Sequence, residues 1–291
     1  MNSRTLSSAV LAMAAVAALG AGVAGCTAPP PTQATDSGTV IQVVAAESVW
    51  GEVAAQIGGP QVHVTSLVGG GGAAAAADPQ AFQPSPADTK AIAGAQVFIL
   101  NGAGLDPWAN QAAAADPGVG RLDINVGNNV GVNPGQDPYL WFDSDYVNAA
   151  VQQIEQDFTQ LRPASAAYFA QQVAAFEQSA AATEETMAGM IKQQYAGKTV
   201  GACPGMARLV ATALGLKPEV VTAAQIKAKQ VKALLCDAQA ADPSDAPLLQ
   251  AAGTAKIPVV QLSQTLSPAG TTFQAWLTAQ LNAIDQALTH V

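Results

Sequence analysis

The feature that most constrains the fold is an alternation of short apolar segments with strand and helix character. In the first half of the chain, segments rich in Val, Ile and Leu stand at residues 40–44, 62–68, 96–100 and 122–126. Segments with a helical apolar period lie between them, at residues 49–57, 86–93 and 107–115. Strands and helices that alternate in this way predict a parallel sheet joined by crossover helices.

A helical region and a second alternating series follow. Residues 145–194 contain little Gly or Pro and keep an apolar helical period, so they predict helices with a total of about fifty residues. Pro163 is expected to start the longer helix at its first position. The second, smaller α/β series has strands at 199–203, 231–236 and 257–262 and helices at 207–214, 243–252 and 273–288.

These patterns predict two α/β lobes, each with a mainly parallel sheet, joined by a long backbone helix and separated by an interlobe cleft. We place the first lobe at residues 39–143, the helical bridge at 144–197 and the second lobe at 198–291. Ligands of doubly wound sheets bind beyond the carboxyl ends of the strands. The residues that this rule places near one crevice are Asn101, Cys203, Cys236 and Ser263.

The N-terminus has the pattern of a lipoprotein signal peptide. Arg4 precedes an apolar run at residues 9–25, which ends in small residues directly before Cys26. The run is short for a membrane span, and the prolines at 29–31 would break a spanning helix. We therefore expect a signal peptide at residues 1–25, acylation of Cys26, and attachment to the extracytoplasmic side of the cell membrane.

Residues 26–38 are mainly Pro, Thr, Ser and Gln and predict a flexible tether.

The charge of the chain limits the binding partners that it can have. The formal net charge is −9, and the sequence has no basic stripe that would indicate nucleic-acid binding. An acidic surface suits an extracellular protein whose partners are not polyanions, and we expect a monomer.

Histidine is scarce, which bears on both metal binding and catalysis. The chain contains only His63, which alternates with valines and is expected to face solvent, and His290, near the end of the chain. A site built from several histidines cannot be formed. A nucleophile paired with a histidine base is also improbable, so we expect no enzyme activity.

Acidic and aromatic residues near the predicted cleft have simpler interpretations. Asp143 and Asp145 stand where a helix is expected to begin, and an acid there commonly caps the helix. Trp108 and Trp141 adjoin apolar segments and are expected to belong to the core.

Five segments in register resemble the solute-binding proteins of zinc and manganese ABC transporters. They are residues 78–88 (DPQAFQPSPAD), 95–108 (AQVFILNGAGLDPW), 137–143 (DPYLWFD), 231–239 (VKALLCDAQ) and 269–281 (AGTTFQAWLTAQL). The resemblance covers most of the chain from Val40 to Leu288. It implies the same two-lobed fold, a metal ion or small ligand in the cleft, and an ABC permease as partner.

The resemblance also implies a metal site, and this sequence departs from it at each position. The family uses two histidines in the first and third motifs, a histidine or glutamate after the first strand of the second lobe, and a carboxylate near the last strand. The matching positions here are Gln80, Tyr139, Cys203 or Pro204, and Ser263 with Thr265. The loop at residues 69–77 carries no histidine. We therefore expect a degenerate site that binds a divalent metal such as zinc weakly.

Cys203 and Cys236 each end a predicted strand of the second lobe, and these strands should be parallel neighbours. In an oxidising compartment the two thiols would form a disulfide, for which the chain-entropy model gives roughly 3.5 to 4 kcal/mol. Alternatively they are thiolates that bind a soft ion such as Zn²⁺ or Cu⁺. A third alternative is two small buried residues that do not meet.

Two functions remain open on this basis. The first is a lipid-anchored solute-binding protein of a zinc/manganese-type ABC importer. The second is a cell-surface accessory or interaction module that kept the scaffold and lost the metal site. Thiol redox chemistry by Cys203 and Cys236 ranks last, since no Cys-x-x-Cys motif is present. Neighbouring permease and ATPase genes would favour the first function.

Overall fold

A computed structural model describes residues 40–71, 77–183, 188–239, 242–266, 268 and 270–289. The predicted signal peptide, Cys26, the tether and His290 lie outside the described residues. Within them, no helix is long and apolar enough to cross a membrane.

The first lobe is a four-stranded parallel sheet with helices. Its elements are β1 (Ile41–Glu47), α1 (Ser48–Gly58), β2 (Val62–Val68), α2 (Pro86–Gly94), β3 (Val97–Leu100), α3 (Pro107–Ala115), β4 (Leu122–Asn125) and α4 (Val126–Val130). The strand order is β2-β1-β3-β4, and every pair is parallel. His63 lies exposed on the edge strand β2, as its alternation with valines predicted.

Three helices form the bridge: α5 (Ser144–Leu161), α6 (Ala166–Thr183) and α7 (Gly189–Tyr195). Asp143 caps α5, since its side chain accepts hydrogen bonds from the N–H groups of Asp145 and Tyr146. Pro163 does not start α6 itself: it opens a single 3₁₀ turn, and α6 begins three residues later. A proline fits the first position of either helix type because its missing N–H has no partner there. Helix α6 contacts α5 and, in the first lobe, α1.

The second lobe repeats the strand order of the first. Its elements are β5 (Thr199–Ala202), α8 (Met206–Ala213), β6 (Lys217–Glu219), α9 (Ala223–Lys227), β7 (Leu234–Asp237), α10 (Asp245–Ala255), β8 (Val259–Leu262) and α11 (Phe273–Thr289). The parallel order is β6-β5-β7-β8. With four strands in each sheet, the prediction of a smaller second series was wrong. It missed β6, an edge strand with a charged residue at each end and Pro218 between them.

The largest apolar cluster extends through both lobes and the bridge. At its centre Trp141, in the loop before α5, makes edge contacts with Trp50 of α1 and Trp276 of α11, each with ring centroids 6.5 Å apart. Aromatic pairs in this geometry add stability beyond the apolar area that they bury. Trp141 is therefore a core residue, as predicted, and it joins the two lobes. Trp108 is buried in a smaller cluster of the first lobe.

Candidate ligand-binding cleft

Each sheet has one point where the strand order reverses, between β1 and β3 in the first lobe and between β5 and β7 in the second. Ligands of open α/β sheets bind at such points, beyond the carboxyl ends of the strands. Glu47 and Asn101 stand there in the first lobe, and Cys203 and Asp237 in the second. Asn101 and Asp237 belong to the sequence motifs at residues 95–108 and 231–239.

Tyr139 links the two sides of the cleft. Its backbone N–H donates to Oδ1 of Asp137 at 2.9 Å, and its ring packs against Trp141, with 7% of the residue exposed. The phenol reaches the second lobe, where it meets the backbone N–H of Met206 at the start of α8. Gly205 precedes that helix with φ +89°, and a Cβ there would lie 3.6 Å from the phenol oxygen.

The phenol of Tyr139 lies in a negative electrostatic field in the cleft. Burial raises its pKa above the ordinary value, and the charges of Asp237, Asp78 and Asp137 raise it further. The N–H of Met206 opposes this rise. The same field that disfavours a phenolate would favour a bound cation.

Gln80 lies beside this region on an exposed turn. Its backbone N–H donates to Oδ1 of Asp78 at 2.9 Å, and the residue itself is exposed. The indole N–H of Trp108 donates to the carbonyl oxygen of Pro79 at 2.9 Å and holds the turn to α3. Gln80 therefore occupies a fixed turn next to one of the acids that act on Tyr139.

The two cysteines form a disulfide between the ends of β5 and β7, with α-carbons 4.8 Å apart. Both side chains point to an apolar cluster that includes Val221 and Ile226, on the α9 and α10 side of the sheet. Bonded to each other in this cluster, Cys203 and Cys236 offer no thiolate to a ligand. The next residue, Pro204, has no side-chain nitrogen or oxygen atom that could bind one.

Asp237 is the cleft residue that the sequence analysis missed. It is the last residue of β7 and only 4% exposed. Its Oδ1 accepts from the N–H of Gln239 at 3.0 Å, and its Oδ2 accepts from Nε2 of Gln264. The VKALLCDAQ motif could have indicated this residue, because it places an acid at the end of an apolar strand, at the carboxyl edge of a sheet.

Ser263 and Thr265 are engaged in hydrogen bonds within the second lobe. Nε2 of Gln239 donates to Oγ of Ser263 at 3.0 Å and to Oγ1 of Thr265 at 3.2 Å. The Ser263 hydroxyl in turn donates to the carbonyl oxygen of Thr265 at 2.6 Å. These two hydroxyls brace the loop after β8 against the loop after β7.

A buried acid pair supports the first-lobe side of the cleft. Glu47 is fully buried, and Asp106 accepts hydrogen bonds from the N–H groups of Asn101 and Gly102 at 2.7 and 2.8 Å. Burial, and then the charge of Asp106, raise the pKa of Glu47 well above its ordinary value. Burial also raises the pKa of Asp106 to about 7. Burial therefore favours the protonated form of both carboxyls.

Asn101 connects this pair, through its backbone N–H, to the loop that carries Tyr139, through its side chain. Its Oδ1 accepts from the indole N–H of Trp50 at 3.0 Å, and its Nδ2 donates to the carbonyl oxygen of Pro138 at 2.8 Å. Asn101 thus fixes the backbone directly before Tyr139.

A separate polar cavity of about 170 Å³ lies between the lobes, on the β2 side of the cleft. Its polar lining comes from Ser48, Glu52, Ser66 and Thr271. None of the predicted ligand positions lines it, so the motif-bearing residues define a different place in the cleft.

Comparison with known proteins assigns the family. Residues 43–287 match the family model described as ZnuA, zinc-uptake complex component A, periplasmic. The manganese-binding lipoprotein MntA of Halalkalibacterium halodurans is 27% identical over 165 residues, which are 56% of this chain and 53% of that protein. MntA of Bacillus subtilis is 27% identical over 183 residues, 60% of this chain and 54% of that protein. The chain thus spans about half the length of the curated relatives it matches.

Solved structures share the fold. The periplasmic zinc-binding protein TroA from Treponema pallidum superposes with a TM-score of 0.71 at 17% identity, over 86% of this chain and 99% of TroA. A Mn-bound periplasmic metal-binding protein from Candidatus Liberibacter asiaticus gives a TM-score of 0.66 at 18% identity, over 85% and 99% of the two chains. The two-lobed architecture is therefore that of metal-binding solute-binding proteins. The chain belongs to the family of zinc-uptake complex component A, a family of solute-binding proteins and not of enzymes.

Proposed function

We propose that the protein is a lipid-anchored, extracytoplasmic solute-binding protein of a zinc/manganese-type ABC importer whose cleft has lost the usual metal ligands. The observation that carries this proposal is the family match over residues 43–287, together with a cleft in which the phenol of Tyr139 in one lobe meets the backbone N–H of Met206 in the other and lies in the electrostatic field of Asp237. The curated relatives are named manganese-binding lipoproteins, which supports the acylation of Cys26 and the location outside the cytoplasm.

The chemistry of the matching positions supports the altered site. Gln80 and Tyr139 carry no imidazole, and Pro204 carries no ligand atom. Cys203 is joined to Cys236, while Ser263 and Thr265 are bound to Gln239. Among the described residues, no three His, Cys, Asp or Glu side chains converge as a metal site would require. Zinc affinity should therefore be low, because zinc favours nitrogen and sulfur ligands.

A test of transport uses a deletion strain under metal limitation. Cells that lack the protein should accumulate less manganese or zinc by elemental analysis, and the full-length gene should restore the content. Unchanged metal content in the deletion strain would contradict the importer function.

One observation favours the second candidate, an accessory module. The lobes are tied by direct contacts that need no ligand, since the Leu266 N–H donates to the Ser48 hydroxyl oxygen at 3.0 Å and Tyr139 meets Met206. Such a module would keep its shape without metal. Copurification with a permease and ATPase from detergent-solubilised membranes would support the importer over the module.

A further inference from the structure

The second lobe carries a row of exposed lysines at the amino ends of its strands. Each of the four strands has an exposed lysine within three residues of its first position: Lys217 at β6, Lys198 at β5, Lys232 at β7 and Lys256 at β8. Because the strands are parallel, this lysine row stands along one edge of the sheet in that order. Neighbouring strands lie about 4.8 Å apart, so the row extends over roughly 15 Å.

The backbone fixes the positions of these lysines. The N–H of Lys217 donates to the carbonyl oxygen of Lys198 at 2.9 Å. Lys256 ends α10 with φ +56°, a left-handed conformation in which glycine is usual. Lysine at such a position costs conformational free energy, and backbone strain of this kind is commonly found where the side chain has a use.

Most of the row keeps its positive charge. Nζ of Lys217 lies 3.3 Å from Oε1 of Glu219, and an ion pair as exposed as this one contributes little. Within the part of the chain that the structure describes, Lys198, Lys232 and Lys256 form no ion pair.

The first lobe has the opposite charge. Residues 39–143 contain nine acids and two Lys or Arg residues, whereas residues 198–291 contain five acids and seven Lys or Arg residues. At the amino ends of the first sheet, the cation among the described residues is Arg121, which is buried and bonded to Asp123. The net charge of −9 argues against a polyanionic partner for the chain as a whole, but it does not describe the lysine row.

The row lies at the end of the second lobe that points away from the first. The carboxyl ends of both sheets face the cleft, since Ser48 after β1 bonds to Leu266 after β8. The amino ends of the two sheets therefore point away from each other. Ile41, the first residue of β1, lies at the amino end of the first sheet, so the lysine row is remote from the place where the chain enters the first lobe.

We propose that the lysine row binds a linear anionic polymer of the cell envelope through its phosphate or carboxylate groups. A straight row of point charges fits a polymer that carries anions at regular intervals along one line. The ring beside Lys198 belongs to the buried Tyr195, so it is not available to stack on a nucleic-acid base. The inference goes beyond the importer function and uses only its proposed location outside the cytoplasm.

The experiment measures the binding of two labelled polymers, polyglycerol phosphate and polygalacturonate, to the full-length protein in neutral detergent by fluorescence anisotropy. At least one polymer should bind, and the tighter one identifies the anionic group, while neutral dextran should not bind. If the four lysines neutralise four anions, the affinity should fall about fiftyfold between about 50 and 200 mM salt.

Lys232→Gln/Lys256→Gln should weaken binding of the preferred polymer at least about tenfold at low salt and should reduce the salt dependence. The matched control is Lys90→Gln/Lys192→Gln, the same change on exposed lysines of α2 and α7. It should leave the affinity unchanged.

A third variant separates binding from stability, because a cation at the end of α10 can also stabilise that helix. Gln230→Lys adds a positive charge on an exposed residue two positions before Lys232. It should tighten polymer binding without a change in melting temperature. A purely structural role of the lysines predicts no such gain.

Anionic phospholipid is the rival partner. Full-length protein is anchored in vesicles of phosphatidylcholine, with or without an equal part of phosphatidylglycerol, and acetylation of its lysines is followed by mass spectrometry. Protection of Lys232 and Lys256 that requires phosphatidylglycerol would overturn the proposal. Failure of both polymers to bind at low salt, or equal losses in the test and control variants, would also overturn it. The importer function would survive each of these results, because metal uptake in the deletion strain tests it.

Discussion

The backbone N–H of Leu266, in the second lobe, donates a buried hydrogen bond of 3.0 Å to the hydroxyl oxygen of Ser48, the first residue of α1 in the first lobe. This bond joins the loop after β8 to the carboxyl end of β1. It lies at the edge of the cleft, so it ties the lobes together next to the candidate site.

Replacing Ser48 with Ala should destabilise the protein, because it leaves the Leu266 N–H buried without an acceptor. The expected loss is about 1–3 kcal/mol in the free energy of unfolding, measured by urea denaturation. Ser179→Ala is the matched control: the hydroxyl of that exposed residue donates to the carbonyl oxygen of Phe176 within its own helix, so its loss should change stability by less than about 0.5 kcal/mol. Equal effects of the two changes would mean that the interlobe bond is unimportant.

The buried pair of Glu47 and Asp106 predicts a pH dependence. Because the folded protein raises the pKa of both carboxyls, it holds protons that the unfolded chain releases. The stabilisation that these two carboxyls contribute to the folded state should therefore be fully present below about pH 4. It should be lost as the pH rises toward 7, the approximate pKa of Asp106. The slope for one proton is at most about 1.4 kcal/mol per pH unit.

Glu47→Gln should reduce this slope by the share that Glu47 contributes, since the amide keeps the shape of the protonated carboxyl and cannot ionise, while burial still raises the pKa of Asp106. Unfolding by urea at pH 5 and pH 7.5 measures the difference in stability. Glu155→Gln, the same change at a partly exposed position of α5, should keep the natural slope. A Glu47→Gln variant with the natural slope would show that Glu47 does not hold a proton in the folded state.

The disulfide of Cys203 and Cys236 predicts that exported protein contains no free thiol at these positions. Mass spectrometry after alkylation should find neither cysteine labelled. The double Cys→Ser variant should lose at most about 3.5 to 4 kcal/mol of stability and keep its fold. The cores of both lobes persist without the bond, and circular dichroism should stay unchanged. Ready reaction with a maleimide, blocked by zinc, would instead indicate a thiolate metal site.

The expected acylation of Cys26 predicts that the protein is held at the membrane. Cys26→Ala should release the protein from the membrane fraction, since no helix among the described residues can span a membrane. The Cys203→Ser/Cys236→Ser variant is the control and should stay membrane-bound, because it keeps the acylated residue. Retention of Cys26→Ala in washed membranes would contradict lipid anchoring.

Much of the fold could be predicted from local sequence. Strand β2 has the predicted bounds because apolar and polar residues alternate along it, and α3 has them because Pro107 marks its first position. Strand β6 was missed because Lys217–Glu219 has no strand character of its own and pairs only at a sheet edge. Helix α9 was also missed, although Thr222 and Gln225 form a capping box that is visible in the sequence.

The candidate site was less predictable because it depends on contacts between distant segments. Sequence motifs pointed to Tyr139 and to the loop after β8. They did not show that Gln239 occupies the hydroxyls of Ser263 and Thr265, or that Gln264, between them, turns its amide to Asp237. Gln264 is buried together with Thr265 and Leu266, and this burial follows from the packing of the whole lobe.

We propose that this cleft lacks the nitrogen ligands of a zinc site, and zinc content together with equilibrium zinc affinity measures this most directly. After mild dialysis, the purified full-length protein should hold well under one equivalent of zinc. The double variant Gln80→His/Tyr139→His should bind zinc at least about tenfold more tightly, because it restores imidazole ligands on the two first-lobe loops of the cleft. The opposite result is that the natural protein retains one full equivalent of zinc after dialysis, with no gain of zinc affinity in the double variant. That result would contradict the loss of the zinc ligands.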